Sequence, residues 1–144
     1  MAATMTFFNS HKVRQYNGNA VNWATDEIWV SFHTSSYTPN IDTHDFFDDV
    51  TAEASGGTYV AGGYRLTTPT DTLDTANDRA VMDADDVSLT GATIPTCRYA
   101  VLRKKLSTPA LSPLIAYIDF GADQGVTGGT FAIQFNAVGV FVQA

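Results

Sequence analysis

Apolar residues alternate with polar or small ones in several short stretches of the sequence, and this alternation limits the fold more than any other feature. A period of two is typical of a strand that buries one face, so each stretch predicts a strand. A short break at Asn136-Ala137 predicts a hairpin turn between the last two of them. The side chains predicted to point inward are Ile28, Val30 and Phe32, then Phe131, Ile133 and Phe135, and finally Val138, Val140 and Val142.

Two further stretches, residues 97–104 and 114–120, are apolar on both sides over most of their length. Such runs are typical of central strands that are covered on both faces. Shorter strands are predicted at residues 64–68 and 79–82, which brings the total to about seven short strands. The sequence therefore predicts an all-β fold, an antiparallel β-sandwich.

The choice of acidic residue supports this prediction. Nearly all of the 15 acidic residues are Asp, and only Glu27 and Glu53 are Glu. Asp favours turns and helix caps, whereas Glu favours helix interiors. A single short helical turn is predicted, with Asp42 or Thr43 as its cap and with Phe46, Phe47 and Val50 on its apolar side.

Residues 1–20 differ in character from the rest, and we interpret them as an N-terminal arm or an edge strand. Residues 21–144 are predicted to form a single β-sandwich domain. In the first segment, Phe7 and Phe8 lie near the cations Lys12 and Arg14 in a chain that is acidic overall. The four residues are predicted to bind a partner. The alternative is a first strand that folds onto its own sandwich.

Composition excludes several classes of function. The net charge is −7 with 8 Lys and Arg residues, which argues against an electrostatic hold on nucleic acid. The one cysteine, Cys97, excludes an internal disulfide and a cysteine-based zinc site, and it fits a protein made in a reducing compartment. The longest apolar run, 114–118, is far shorter than a membrane-spanning helix. We therefore expect neither nucleic acid nor a membrane as a partner.

No familiar catalytic motif occurs in the sequence: it has no nucleophile elbow, no phosphate-binding loop and no zinc-protease helix. We expect no enzymatic activity, no catalytic residues and no cofactor. Two features leave alternatives open. The acid cluster Asp42–Asp49, which includes His44, could offer oxygen ligands to Ca²⁺ or could be helix caps and solvated charge. Trp23 and Trp29 could form a sugar-stacking platform or belong to the core.

One long stretch, residues 35–50, is distinctive, and shorter matches follow it in a fixed order. The chain resembles a group of small virion proteins of tailed bacteriophages from about Trp23 to its C-terminal end. The residues that carry the resemblance are SSYTPNIDTHDFFDDV at 35–50, YVAGG at 59–63 with Leu66, DADDV at 83–87, RYAV at 98–101, SPLI at 112–115, DFGADQ at 119–124 and GTF at 129–131.

The resemblance implies a structural virion protein, and a small, acidic, all-β chain fits a capsid decoration (cement) protein. Such a protein would bind and stabilise the lattice of the major capsid protein, as a trimer. It would be made in the host bacterial cytoplasm and reside on the capsid surface of the virion. Arg103, Lys104 and Lys105 are predicted either to face an acidic partner or to balance the Asp-rich turns. The alternative is a tail, neck or fibre component that contacts host-surface sugar.

Overall fold

The computed structural model describes residues 3–144, and 48% of the structure is antiparallel strand. The strands form a five-stranded sheet in the order β1-β7-β6-β2-β3 and a three-stranded sheet in the order β4-β5-β8. The predicted all-β, sandwich-like fold is confirmed. In chain order the elements are β1 (Thr4–Phe7), α1 (Asn9–Arg14), β2 (Ile28–His33), β3 (Tyr64–Arg65), β4 (Thr70–Asp74), β5 (Arg79–Asp83), β6 (Val87–Lys104), β7 (Leu114–Ile133) and β8 (Phe141–Gln143), with short 3-10 helices at Phe47–Asp49 and Pro109–Leu111.

The two central strands are where the sequence predicts them, but they are much longer. β6 has 18 residues and β7 has 20, and they pair as one antiparallel hairpin from Val87↔Ile133 to Arg103↔Leu114. The predicted strand around Phe131 is the end of β7. A glycine pair such as Gly128-Gly129 is typical of a chain turn, but here it lies within the strand, next to an irregularity in the register of one continuous ribbon.

The five-stranded sheet is buried on both faces near its centre. The larger hydrophobic cluster includes Val30, Phe32 and Leu102 together with Met82 of the three-stranded sheet. On the opposite face a smaller cluster is formed by Phe8, Tyr37, Val101 and Leu114. Neighbouring residues of one strand point to opposite faces, so Val101 and Leu102 contribute to different clusters. This double burial explains why residues 97–104 and 114–120 lack an alternating pattern.

The chain turns at Asn136-Ala137 as predicted, with the Gly139 N–H donating to the Asn136 carbonyl oxygen at 2.9 Å, but the predicted pairing of the strands on either side is wrong. β8 pairs with β5 through Met82↔Phe141, Val81↔Val142 and Ala80↔Gln143, and so it belongs to the smaller sheet. Val138 and Val142, which the alternation predicts to point inward, are exposed. Local alternation indicates a strand but does not specify its partner, and here the neighbouring strand in sequence is not the partner.

The predicted helical turn exists, but it begins later than expected and is capped differently. It is the 3-10 helix Phe47–Asp49, and neither Asp42 nor Thr43 caps it. Asp49 instead uses its Oδ2 to accept hydrogen bonds from the backbone N–H groups of Asp45 and Phe46, at 2.8 and 3.2 Å. These two bonds hold the pKa of Asp49 below its ordinary value.

The sequence does not predict α1, the six-residue helix that follows β1. Phe8 precedes it without a side-chain cap, and no acidic residue lies in its first turn. Its inner residue, His11, is buried and stacks against Phe7. Asn9 donates to Asp42 and Arg14 donates to the carbonyl oxygen of Asp45, so tertiary contacts rather than intrinsic propensity stabilise this helix. Within residues 3–144, no helix has the length and apolar character needed to cross a membrane.

Candidate functional site

The N-terminal segment lies along the larger sheet as its edge strand. β1 pairs with β7 from Thr4↔Asp119 to Phe7↔Ala116. Phe8 is fully buried and packs against Tyr117, whereas Phe7 is half-buried against Phe141. Contact of Phe8 with a partner would require its ring to leave the interior. Met1 and Ala2, the first residues of the predicted arm, lie outside the described residues.

The two cations of the N-terminal segment lie on α1 and differ in their surroundings. Lys12 is exposed, and its Nζ donates to Asn9 Oδ1 at 3.0 Å. The half-buried guanidinium of Arg14 donates to the carbonyl oxygen of Asp45 and lies 4.8 Å from the centre of the Phe46 ring. Arg14 therefore ties α1 to the loop before the 3-10 helix, whereas the charge of Lys12 lies at the surface.

The predicted basic patch does not form one surface. Arg103 is only 3% exposed. Lys104 forms an ion pair with Asp26 at 2.9 Å, and Lys105 is exposed with its Nζ 3.7 Å from the centre of the Trp29 ring. Alternation along β6 places Arg103 and Lys104 on opposite faces. Among these three residues, Lys105 is the one whose charge is available at the surface.

Arg103 is the centre of a buried polar cluster under the loop 53–63. Its Nη2 donates to the carbonyl oxygen of Gly62 at 2.6 Å, and its guanidinium lies 3.7 Å from the centre of the Phe47 ring. The Glu53 carboxylate accepts from Tyr59 Oη and from the Gly62 N–H, at 2.7 and 2.6 Å. Burial lowers the pKa of Arg103, and Glu53 opposes that shift. The cluster fastens the loop to the sheet.

Next to this cluster, β2 carries a hydroxyl–imidazole pair that no sequence pattern indicates. Ser31 Oγ and His33 Nε2 are 2.8 Å apart, and His33 Nδ1 is 2.8 Å from the carbonyl oxygen of Thr51. If Nδ1 donates to that carbonyl, Nε2 accepts the Ser31 proton, as in a nucleophile–base pair. Both residues are fully buried, however, and burial lowers the pKa of His33. In this arrangement the pair satisfies buried polar groups, and no substrate can reach it.

The acid cluster Asp42–Asp49 is used for local structure. The side chain of Asn9 donates to Asp42 Oδ1 at 2.6 Å, and His44 Nδ1 lies 3.0 Å from the Tyr37 hydroxyl. Among the described residues, no group of three or more His, Cys, Asp and Glu side chains is arranged to hold a metal ion. The Ca²⁺ interpretation therefore gains no support from the geometry.

A surface of unusual composition lies on the part of the hairpin that extends beyond β1 and β2. We call residues 87–97 of β6 and 121–133 of β7 the distal ribbon. Asp123 is its single charged residue. Its inner side, including Ile94 and Phe131, belongs to the larger core cluster. Its exposed residues are small or uncharged except for Asp123, and they are Ser88, Thr90, Gly91, Thr96, Ala122, Asp123, Gln124, Gly125, Thr127, Gly128, Thr130 and Ala132.

The two edges of the distal ribbon differ. On the β6 edge, the Thr58 N–H donates to the carbonyl oxygen of Thr93 at 2.8 Å, so the loop 56–58 covers that edge. On the β7 edge, β1 begins at Thr4, and its pairing with β7 extends no further along β7 than Asp119. Beyond that point, residues 121–130 have no neighbouring strand on their outer side within the described chain. This open edge is available to another polypeptide.

A second surface of interest is a cleft between α1 and the smaller sheet. Two adjoining cavities of about 300 and 240 Å³ share five lining residues, and we call them together the α1 cleft. The shared residues are His11, Gln15, Tyr16, Phe141 and Gln143.

The sequence predicts neither surface, for different reasons. The low charge of the distal ribbon is visible in the sequence, but its importance depends on the two strands being neighbours. The residues of the α1 cleft come from β1, α1, the segment after α1, β4, β5 and β8, which no local pattern joins. Trp23 and Trp29 do not form a sugar-stacking platform: Trp23 is buried with its Nε1 donating to the carbonyl oxygen of Asp83, and Trp29 lies under Lys105.

Comparison of this chain with protein families, with curated proteins and with solved structures finds no match.

Proposed function

We propose that this protein is a structural virion protein of a tailed phage, and specifically a decoration protein that binds and stabilises the lattice of the major capsid protein. The sequence resemblance supports the virion assignment, and the distal ribbon is the observation that carries the docking role. No enzymatic step is part of this proposal. The distal ribbon, not the N-terminal segment, is the proposed contact surface.

The composition of the distal ribbon fits a protein–protein contact. The buried centre of an interface is depleted of charge, because each charge that loses water must be compensated. Asp123 alone carries a charge there, although 16% of the chain is charged. The inner side of the distal ribbon packs in the hydrophobic core, which holds the two strands in place. The exposed side is therefore a preformed surface that loses little conformational entropy on docking.

The remaining surface limits the kind of partner. Four cations are paired with carboxylates of the same chain, in the pairs Arg65–Glu27, Arg79–Asp74, Arg98–Asp119 and Lys104–Asp26. A fifth cation, Arg103, is buried and does not contribute to the surface. The net charge of −7 is therefore carried by carboxylates without nearby cations, and the partner surface around the contact is expected to be neutral or positive.

The first experiment is the copy number of this chain in purified virions, measured by quantitative mass spectrometry against the major capsid protein. A ratio near one, or a simple fraction set by lattice symmetry, supports decoration. A handful of copies contradicts decoration and favours a tail, neck or fibre component. Absence from the particle contradicts both.

The docking surface is tested by charge substitutions at one exposed threonine of β7. Thr130→Lys and Thr130→Glu should each reduce occupancy of the capsid, because either charge would lose water in the contact. Thr75, an exposed residue of the β4–β5 turn, gives matched controls as Thr75→Lys and Thr75→Glu, which should bind normally. Equal occupancy for all four variants would contradict docking through the distal ribbon.

The second candidate is a tail, neck or fibre component that contacts host-surface sugar, and the α1 cleft is the observation that favours it. The copy number separates the two assignments. The chemistry of the cleft can be examined independently of where the protein lies in a particle.

A further inference from the structure

The α1 cleft combines aromatic walls with polar groups. Tyr16, in the turn that follows α1, is 82% exposed and borders both cavities. Phe141 forms a second shared aromatic wall and packs edge-on against Trp23, with ring centres 5.1 Å apart. An exposed tyrosine beside a cleft offers a flat apolar face to a ligand, and its hydroxyl remains free to form hydrogen bonds.

The polar side chains of the cleft are largely uncommitted. Asp71 and Gln143 are exposed, and neither side chain forms a hydrogen bond with another described residue. The Gln15 amide forms a hydrogen bond with His11, with the two Nε2 atoms 2.8 Å apart. An amide and a carboxylate together can both donate to and accept from hydroxyl groups.

His11 lines both cavities. Its imidazole is buried, and its pKa is lowered to about 4 by burial and then by the charge of Arg14. At neutral pH the ring is therefore uncharged. If Nε2 accepts from the Gln15 amide, the proton is on Nδ1, a buried nitrogen without a partner in the described chain.

We propose that the α1 cleft is a carbohydrate-binding site, in which a neutral pyranose ring stacks on Tyr16 and forms hydrogen bonds with Gln15, Asp71 and Gln143. The cavities, at about 300 and 240 Å³, are large enough for one or two sugar rings. This proposal goes beyond capsid decoration and does not depend on it.

The lining favours a neutral ligand over a charged one. The larger cavity contains Asp71 and no Lys or Arg, which disfavours an anion such as a phosphate or a carboxylate. Lys12 lines only the smaller cavity, and its Nζ is engaged with Asn9. A small cation could use Asp71 and the aromatic faces, and an extended peptide could pair with the free edge of β8. Both are tested as competing outcomes.

The test uses the isolated protein and saturation-transfer NMR, with D-glucose, D-galactose, N-acetyl-D-glucosamine and L-rhamnose as probes at millimolar concentration. Choline and a polyalanine peptide serve as the cationic and peptide probes. We expect saturation transfer to at least one of the sugars, with backbone amide shifts at Tyr16 and Gln143. Transfer to none of the sugars, or binding of only choline or only the peptide, would overturn the proposal.

Variants then locate the bound sugar. Tyr16→Ala should weaken binding about tenfold or more, and Gln143→Ala should also weaken it. Val13→Ala is the matched control, because Val13 is an exposed residue of α1 that does not line either cavity. Since Tyr16 and Val13 are both exposed, neither change should unfold the protein. Equal affinity for Tyr16→Ala and Val13→Ala would overturn the assignment to this cleft.

Discussion

Arg103 shows how strongly a single residue can depend on its surroundings. Sequence position suggests an exposed basic patch with Lys104 and Lys105, yet the strand places the Arg103 guanidinium inside the protein. There it bonds to the backbone of Gly62, and Glu53 supplies a nearby negative charge. A buried charge of this kind is stable only with its partners in place.

We predict that Arg103→Met lowers the free energy of unfolding by about 3 kcal/mol, because the Gly62 carbonyl and the Glu53 carboxylate lose their cationic partner. Lys105→Met is the matched control. Its ammonium is exposed over Trp29, so its loss should cost less than about 1 kcal/mol. Urea denaturation of the two variants measures the difference. Equal stability of both variants would show that the buried guanidinium does not hold the loop.

At the scale of elements, the close approach of the loop 53–63 to β2 determines how β3 joins the sheet. Gly63 has φ +85°, and a Cβ at this position would collide with the carbonyl oxygen of Val30. The contact allows the chain to enter β3, which pairs with β2 through Val30↔Tyr64. Only glycine combines this left-handed backbone with such a close approach.

We predict that Gly63→Ala destabilises the protein by more than about 3 kcal/mol and loosens the pairing of β3, since backbone strain and a collision with backbone add together. Gly91 is the control, because it has φ +57° but a Cβ added there would have no atom within 4 Å. Gly91→Ala should cost about 1–2 kcal/mol from backbone strain alone. Hydrogen exchange of the Tyr64 and Leu66 amides reports the pairing. Unchanged protection in Gly63→Ala would contradict the prediction.

Across the molecule as a whole, two buried histidines couple folding to pH. The pKa of His11 falls from 6.5 to about 4, and burial also lowers the pKa of His33. The unfolded chain therefore binds more protons than the folded protein between about pH 6.5 and 4. The contribution of His11 to stability is fully present above about pH 6.5 and is lost as the pH falls toward 4, and His33 acts in the same direction.

We predict that the free energy of unfolding decreases between pH 7 and pH 4, with about 3 kcal/mol of the decrease due to His11. Urea denaturation at about pH 7, 5.5 and 4.5 measures the slope. His11→Gln should be less stable at pH 7 but should lose less stability on acidification. A wild-type stability that is flat over this range would show that His11 and His33 can be protonated without leaving their buried positions.

Local sequence pattern is enough to specify the all-β class, the strand β2 and the central position of residues 97–104 and 114–120. These follow from alternation and from apolar runs, which are properties of neighbouring residues. The helical turn near Phe47 is also predictable, but its cap is not. Asp49 accepts from the backbone N–H of Asp45, and the sequence does not predict the conformation of the backbone there.

Contacts that form only on folding specify the rest. Pairing of β8 with β5, burial of Phe8 and Arg103, and formation of α1 depend on contacts between residues far apart in the chain. The distal ribbon and the α1 cleft belong to this group as well. Periodicity specifies which face of a strand is apolar, but it does not specify what covers that face. Packing of the two sheets makes that choice, and with it determines the surfaces left open to a partner.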